Sequence, residues 1–300
     1  MADPAIKIGI DLGGTKIELL ALDPAGRELL RRRCPTPQGD YAATLDSIQR
    51  LVLEAEQELG SRASVGVGSP GAISKASGRM KNCNSTCLNG HPLRRDLEQR
   101  LARPIRLAND ADCFALSEAT DGAAAGASVV FGVILGTGVG GGIVIRGRLL
   151  QGPNAIAGEW GHNPLPWPSP EERPGPPCYC GRCGCIETFL SGPGLSRAHA
   201  AATGQQLDAK AIAESAVAGD AGCESSLALY ESRLARALAH IINIIDPQVI
   251  VLGGGLSNCT RLYRNVPRIW SRYVFSDRVD THLVPPRHGD SSGARGAAWL

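Results

Sequence analysis

The chain reads as an α/β protein built from a duplicated unit, two lobes facing a cleft. Three observations predict this. Ile6–Ile10 and Ile17–Leu22 are short apolar runs joined by the glycine turn Asp11–Lys16. Val129–Leu135 and Ile143–Ile145 repeat the pattern around Gly136–Gly142. A third run, Val249–Leu252, opens onto Gly253–Gly255, and helix-period segments separate these strands.

In chain order, Asp23–Gly26 is a second turn and 26–33 a third strand, an antiparallel meander. Leu45, Ile48, Val52, Ala55 and Leu59 then share one helical face. Residues 63–67 form a buried-type strand, and a long loop carries Asn82, Asn84, Asn89 and Gly90. Leu93, Leu97 and Leu101 mark a short helix, 104–108 a strand ending at Asn109-Asp110, and 111–125 an Ala-rich helix. After the repeat, a proline-rich segment (164–177) reads as a fixed surface loop. Helices are expected over 187–203, 209–219 and 225–245, the last stopped by Asp246-Pro247. A helix over 262–273, a strand at 282–284 and a helix over 293–300 complete the chain.

At 300 residues the chain can bury a substantial core. The balance of 31 basic and 29 acidic residues leaves no basic field for nucleic acid. The first seven residues lack the form of a signal peptide, and no apolar run approaches a membrane span. A cytoplasmic location is the expectation.

Four of the ten cysteines (Cys178, Cys180, Cys183 and Cys185) fall within eight residues. In a chain of ordinary composition such clustering points to metal rather than disulfides. Zinc takes four tetrahedral ligands, either all four thiolates or three with His162, and an iron–sulfur cluster would also accept four thiolates. A closed four-ligand site is structural, so the metal shapes the loop. Glu159, His162 and Glu187 flank it, a set of carboxylates and imidazole suited to the hydroxyls of a polyol.

Glycine lets backbone N–H groups approach phosphate without a side chain in the way. One such turn is ordinary hairpin geometry; three at matching places suggest phosphate binding. Gly136-Thr-Gly-Val-Gly-Gly141 matches the dinucleotide fingerprint in letters, but a strand follows it where a helix should. There is no P-loop and no protein-kinase catalytic set. Asp11 makes sense beside phosphates if magnesium lies between them. Lys16 either neutralises phosphate charge or is a solvated hairpin lysine. Asn109-Asp110 stands at a strand end before a helix, where Asp serves as an N-cap, a general base or both.

Asp11-x-Gly-Gly-Thr-Lys16, Asn109-Asp110-Ala111, Gly136-Thr-Gly138, Gly158-Glu-x-Gly-His162, Cys178-x-Cys-Gly-x-x-Gly-Cys-x-Glu187 and Leu252-Gly-Gly-Gly255 together resemble the ROK sugar kinases, in that family's order and over nearly the whole chain. Asn84-Ser-Thr-x-Leu-Asn-Gly90, Asn163-Pro-Leu-Pro-Trp167 and His288-Gly-Asp-Ser-Ser-Gly293 are similar to bacterial fructokinases of the manno(fructo)kinase kind.

The resemblance implies an actin-like (ribonuclease H-like) two-lobe fold closing on ATP and sugar. One lobe would comprise 1–114 plus 287–300, the other 115–286 with the zinc loop. Asp110 would take the proton from the sugar's primary hydroxyl. Asp11, Gly13, Gly14, Thr15, Lys16, Gly136, Thr137 and Gly138 would hold ATP phosphates, with Gly253, Gly254 and Gly255 near the adenosine. Glu159, His162 and Glu187 would hold the sugar, helped by Asn84 and Asn109. The zinc ligands would be His162, Cys178, Cys180 and Cys185, with Cys183 a departure from the pattern. The expected cofactors are ATP, Mg2+ and structural Zn2+, and the expected assembly a homodimer. The expected reaction is phosphorylation of a hexose at its 6-hydroxyl, fructose foremost, with mannose, glucose or N-acetylmannosamine as alternatives. A sugar-responsive regulator is the competing class; the balanced charge and a first strand by Ile6 argue against DNA binding.

Overall fold

The structure is a computed structural model describing residues 6–300. In chain order it contains β1 (Lys7–Leu12), β2 (Lys16–Leu22), β3 (Glu28–Pro35), α1 (Tyr41–Leu59), β4 (Ser64–Ser69), α2 (Leu93–Leu101), β5 (Ile105–Asn109) and α3 (Asp110–Thr120). There follow β6 (Val129–Leu135), β7 (Val139–Ile145), α4 (Ile186–Leu190), α5 (Gly192–Thr203), α6 (Ala209–Val217), α7 (Ala221–Ile245), β8 (Val249–Gly253), α8 (Arg261–Trp270), β9 (His282–Val284) and α9 (Ser292–Trp299). Short pairs and 3₁₀ turns lie between them. Contacts divide the chain into two units: Met1–Ala125 with Gly147–Ala157 and Asp290–Leu300, and Gly126–Arg146 with Gly158–Gly289.

In the first unit the sheet order is β3-β2-β1-β4-β5. β1 pairs antiparallel with β2 and parallel with β4, and β4 pairs parallel with β5. In the second, β7-β6-β8-β9 follows the same plan: β6 is antiparallel to β7 and parallel to β8. The duplication expected from the glycine hairpins is thus a duplication of strand pairing.

Each sheet buries an apolar face. α1 starts at the N-cap Asp40, whose side chain accepts from Ala43 N at 2.9 Å, and ends at left-handed Gly60. Its stripe of Leu45, Ile48, Leu51, Val52 and Ala55 packs with Ile8, Ile10 and Val67 of the sheet. Each large apolar side chain buried there contributes about 1.5–3 kcal/mol. Gly9 and Gly66 let α9 lie directly on the strands, because a Cβ at either would strike the backbone carbonyls of Ala294 and Ala297. The second unit's core gathers Phe131, Val133, Trp160, Leu234, Leu238 and Trp270 around α7.

Several elements differ from the sequence expectation for local reasons. The helix expected over 187–203 is two, because Ser191 is extended and its side chain caps α5 by accepting from Gly194 N. α7 begins earlier than expected, at Ala221, since Asp220 caps it, and ends at left-handed Asp246 before Pro247. α3 stops at Thr120. Among the described residues no helix is long and apolar enough to cross a membrane.

The proline-rich segment is fastened by charge. Glu172, in a 3₁₀ turn (Pro170–Glu172), accepts from Arg233 Nε at 2.8 Å and from Arg236 Nη1 and Nη2 at 2.8 and 2.9 Å. Burial pushes its carboxyl up, but Arg236, Arg233 and the Ser169 amide outweigh that and hold it at about 2. A carboxyl depressed in the folded state stabilises above its unfolded pKa and loses that contribution as pH falls through the folded value. Glu172→Gln is expected to lower stability by about 3–5 kcal/mol at pH 7, the cost of leaving buried arginines unpaired. Urea unfolding checks this, and the gap from wild type should narrow between about pH 4.5 and 2.

Candidate active site

Strand register brings the first unit's acidic groups together. Asp11 on β1 stands opposite Glu18 of β2 and beside Gly68 of β4, while Ser69 of β4 pairs with Asn109 of β5. Asp11 and Asp110 therefore stand at the ends of β1 and β5, on either side of β4. Burial, then the charges of Asp110 and Glu18, raise the Asp11 carboxyl to about 6, with Lys16 opposing. This crowding of negative charge suits a divalent cation, which prefers oxygen ligands.

The N-cap of α3 is Asn109 rather than Asp110. Asn109 Oδ1 accepts from Ala111 N at 2.8 Å, and its Nδ2 donates to the Gly71 carbonyl at 3.1 Å. Asp110 is the first helical residue and is exposed, with Oδ1 accepting from the Ala111 amide at 2.8 Å. The cap is thus supplied by its neighbour, leaving the Asp110 carboxylate on the surface of the strand end.

The Asp11–Lys16 turn closes by Gly13 N donating to Lys16 O at 3.0 Å. Gly14 and Thr15 are exposed at its tip. Lys16 Nζ lies 3.8 Å from Glu18, whose carboxylate is also held by Arg33 at 2.8 Å and Arg31 at 3.7 Å. Asn84 is exposed in its loop, its side chain accepting from Ser85 N at 2.7 Å.

In the second unit the segment Gly158–His162 lies against β7. Gly158 is left-handed, and a Cβ there or on Gly161 would collide with the carbonyls of Gly141 and Val139. Trp160 pins the segment, donating Nε1–H to Gly140 O at 3.0 Å and meeting Phe131 edge-on at 5.5 Å. Glu159 is thereby left exposed, and His162 faces the cysteine hairpin. Glu187, in the first turn of α4, accepts from the Val139 amide at 2.9 Å through Oε2. A Cβ on Gly138 would come within 2.7 Å of the same oxygen, so glycine there admits the carboxylate.

His162, Cys178, Cys180 and Cys185 bring their ligand atoms within 4.8 Å of one another. Cys180 Sγ and Cys185 Sγ are 3.6 Å apart, as are Cys178 Sγ and His162 Nδ1. Tetrahedral zinc with Zn–S bonds of about 2.3 Å separates its sulfurs by about 3.8 Å, so this group fits. Cys183 is exposed and lies outside the group. All ten cysteines are free.

A cavity of about 780 Å³ adjoins the glycine turns of this unit, lined by Gly136, Thr137, Gly255, Leu256, Lys210 and Pro193 among others. Gly254 is left-handed and abuts the Leu135 backbone, which brings the β8 turn against the end of β6. The volume and mostly apolar walls suit a nucleoside. Lys210 escaped the sequence reading because a lysine in a helix's first turn carries no mark of its own. Tyr179 escaped it too, although it sits between two candidate ligands. Its hydroxyl is 2.9 Å from His162 Nε2.

Removing the metal is expected to loosen the 178–185 hairpin. Cys180→Ser should lower bound zinc well below one per chain, while Cys183→Ser should leave it unchanged. Elemental analysis of purified variants checks both outcomes.

The ROK family model matches residues 7–300. An N-acetyl-D-glucosamine kinase of Salmonella gallinarum is 41% identical over 97% of this chain and 98% of its own length. The ROK hexokinase of Thermus thermophilus superposes with TM-score 0.87 at 32% identity, covering 98% of this chain and 97% of that one. A ROK glucokinase from Streptomyces griseus, solved with glucose and AMPPNP, superposes with TM-score 0.77 at 28% identity over 98% of both chains. The α/β, actin-like architecture is that of these kinases, and the chain belongs to the ROK family as one of its sugar kinases.

Proposed function

We propose that this enzyme transfers the γ-phosphoryl group of ATP to the 6-hydroxyl of a hexose, with D-fructose as the preferred acceptor. The observation that carries the chemistry is the exposed Asp110 carboxylate at the end of β5, beside Asp11. Fructose is favoured by the wording of Asn84–Gly90, Asn163–Trp167 and His288–Gly293. N-acetyl-D-glucosamine is the second reading, favoured by the name of the relative at 41% identity.

Phosphoryl transfer depends mostly on positioning and charge neutralisation. Asp110 accepts the proton of the attacking hydroxyl. The turns Asp11–Lys16 and Gly136–Gly138 present backbone N–H groups to phosphate oxygens, and the 780 Å³ cavity takes the nucleoside beside Gly253–Gly255. Asp11 faces the cation side, where Mg2+, when bound, neutralises phosphate charge. Glu159, His162 and Glu187 hold sugar hydroxyls, with Asn84 and Asn109 assisting. His162, Cys178, Cys180 and Cys185 would hold zinc, which when bound would stiffen the loop. The enzyme works as a homodimer in the cytoplasm, as the family resemblance implies.

Asp110→Asn should keep sugar affinity within about twofold while cutting kcat by on the order of 10²–10⁴-fold, the usual worth of a general base. Calorimetric sugar binding and a coupled ADP assay measure the two separately. A near-normal kcat would remove Asp110 from the base role. Phosphorus–carbon NMR of the fructose product should place the phosphate on C6; phosphate at C1 would contradict the proposed regiochemistry.

A further inference from the structure

Tyr179 is a large aromatic side chain whose placement packing does not explain, since it remains 82% exposed. It lies on a stiff hairpin: Cys178 N donates to Arg182 O at 2.7 Å, Gly181 N donates to Cys178 O at 3.0 Å, and Gly181 is left-handed. Both sequence neighbours of Tyr179 belong to the metal-fitting group. Its ring meets His162 edge-on at 5.1 Å, and its hydroxyl reaches Nε2 at 2.9 Å.

The protons on this contact follow from the other side of the imidazole. His162 turns Nδ1 toward the thiols, 3.6 Å from Cys178 Sγ. An imidazole bound to metal through Nδ1 carries its proton on Nε2. That N–H then donates to the Tyr179 oxygen, and the phenol proton is directed elsewhere. The phenol thus stands directly on the imidazole assigned to the sugar.

We infer that Tyr179 is an acceptor-binding residue: its hydroxyl, held by His162 Nε2–H, donates to an oxygen of the hexose. Carboxylates only accept, so Glu159 and Glu187 satisfy the proton of a sugar hydroxyl and leave its lone pairs without a donor. Tyr179 supplies that donor, relayed from His162. The inference rests on the proposed reading of Glu159, His162 and Glu187 as the sugar-holding set, in which His162, with Nδ1 toward the thiols and Nε2 on the phenol, acts on the sugar through Tyr179.

The test compares wild type with Tyr179→Phe, an exposed change that removes one oxygen. Zinc content, calorimetric binding of fructose and of N-acetyl-D-glucosamine, and KM for sugar and for ATP are measured on both. The expected result is a sugar Kd and KM raised about 5–10-fold, the loss of one hydrogen bond, with zinc at one per chain and the KM for ATP within twofold. Unchanged sugar affinity at full zinc occupancy overturns the inference. So does lost zinc with normal sugar affinity once zinc is restored, which would make Tyr179 only a prop for His162. A wild type that binds no sugar overturns both this inference and the proposed function. A wild type that turns sugar over normally alongside an unaffected variant overturns this inference alone.

Discussion

Close backbone contact between Gly158–His162 and β7 is the constraint on which the second unit's site depends. Two positions in that segment have no room for a Cβ, and a buried tryptophan bonded to Gly140 fixes its register. Glu159 and His162 project from the segment, so their placement is inherited from the sheet rather than set by a free loop. Glu187 closes the arrangement from α4 by taking the Val139 amide. The glycine turn and the cysteine hairpin are thereby tied to one strand. Rigid support of this kind matters because misplacement by about 1 Å can cost on the order of 10²-fold in rate.

The first unit solves a different problem, collecting like charges at one end of its sheet. Parallel pairing of β1, β4 and β5 ends the strands together, which sets Asp11 near Asp110. Asn109 does the capping, so Asp110 remains at the surface. Glu18 is occupied by Lys16, Arg31 and Arg33, which marks it as an internal counter-charge on the sheet. Lys16 thus has a structural partner that the hairpin sequence alone left undecided.

Much of this was legible beforehand. The strand–glycine turn–strand repeat predicted the matching sheets, because period-2 runs broken by glycine admit few other structures. The cysteine spacing suggested a metal-sized group, and His162 lies beside Cys178, Cys180 and Cys185. Helix boundaries were less visible: Ser191 and Asp220 look like ordinary polar residues until their side chains are seen bonded to Gly194 and Cys223. The Glu172–Arg236 pair, 64 residues apart, and the Tyr179–His162 contact depend on tertiary placement and leave no local signature. The sugar is the least legible feature. Fructose follows from short stretches of wording, whereas the relatives matched over the whole chain include N-acetyl-D-glucosamine kinases.

The most direct measurement is a coupled ADP-release assay on the purified protein with ATP and magnesium, comparing fructose, mannose, glucose and N-acetyl-D-glucosamine. The account predicts sugar-dependent release with kcat/KM highest for fructose. A highest value for N-acetyl-D-glucosamine would contradict the fructose assignment and leave the phosphoryl-transfer chemistry standing. No release with any of the four would contradict the account as a whole.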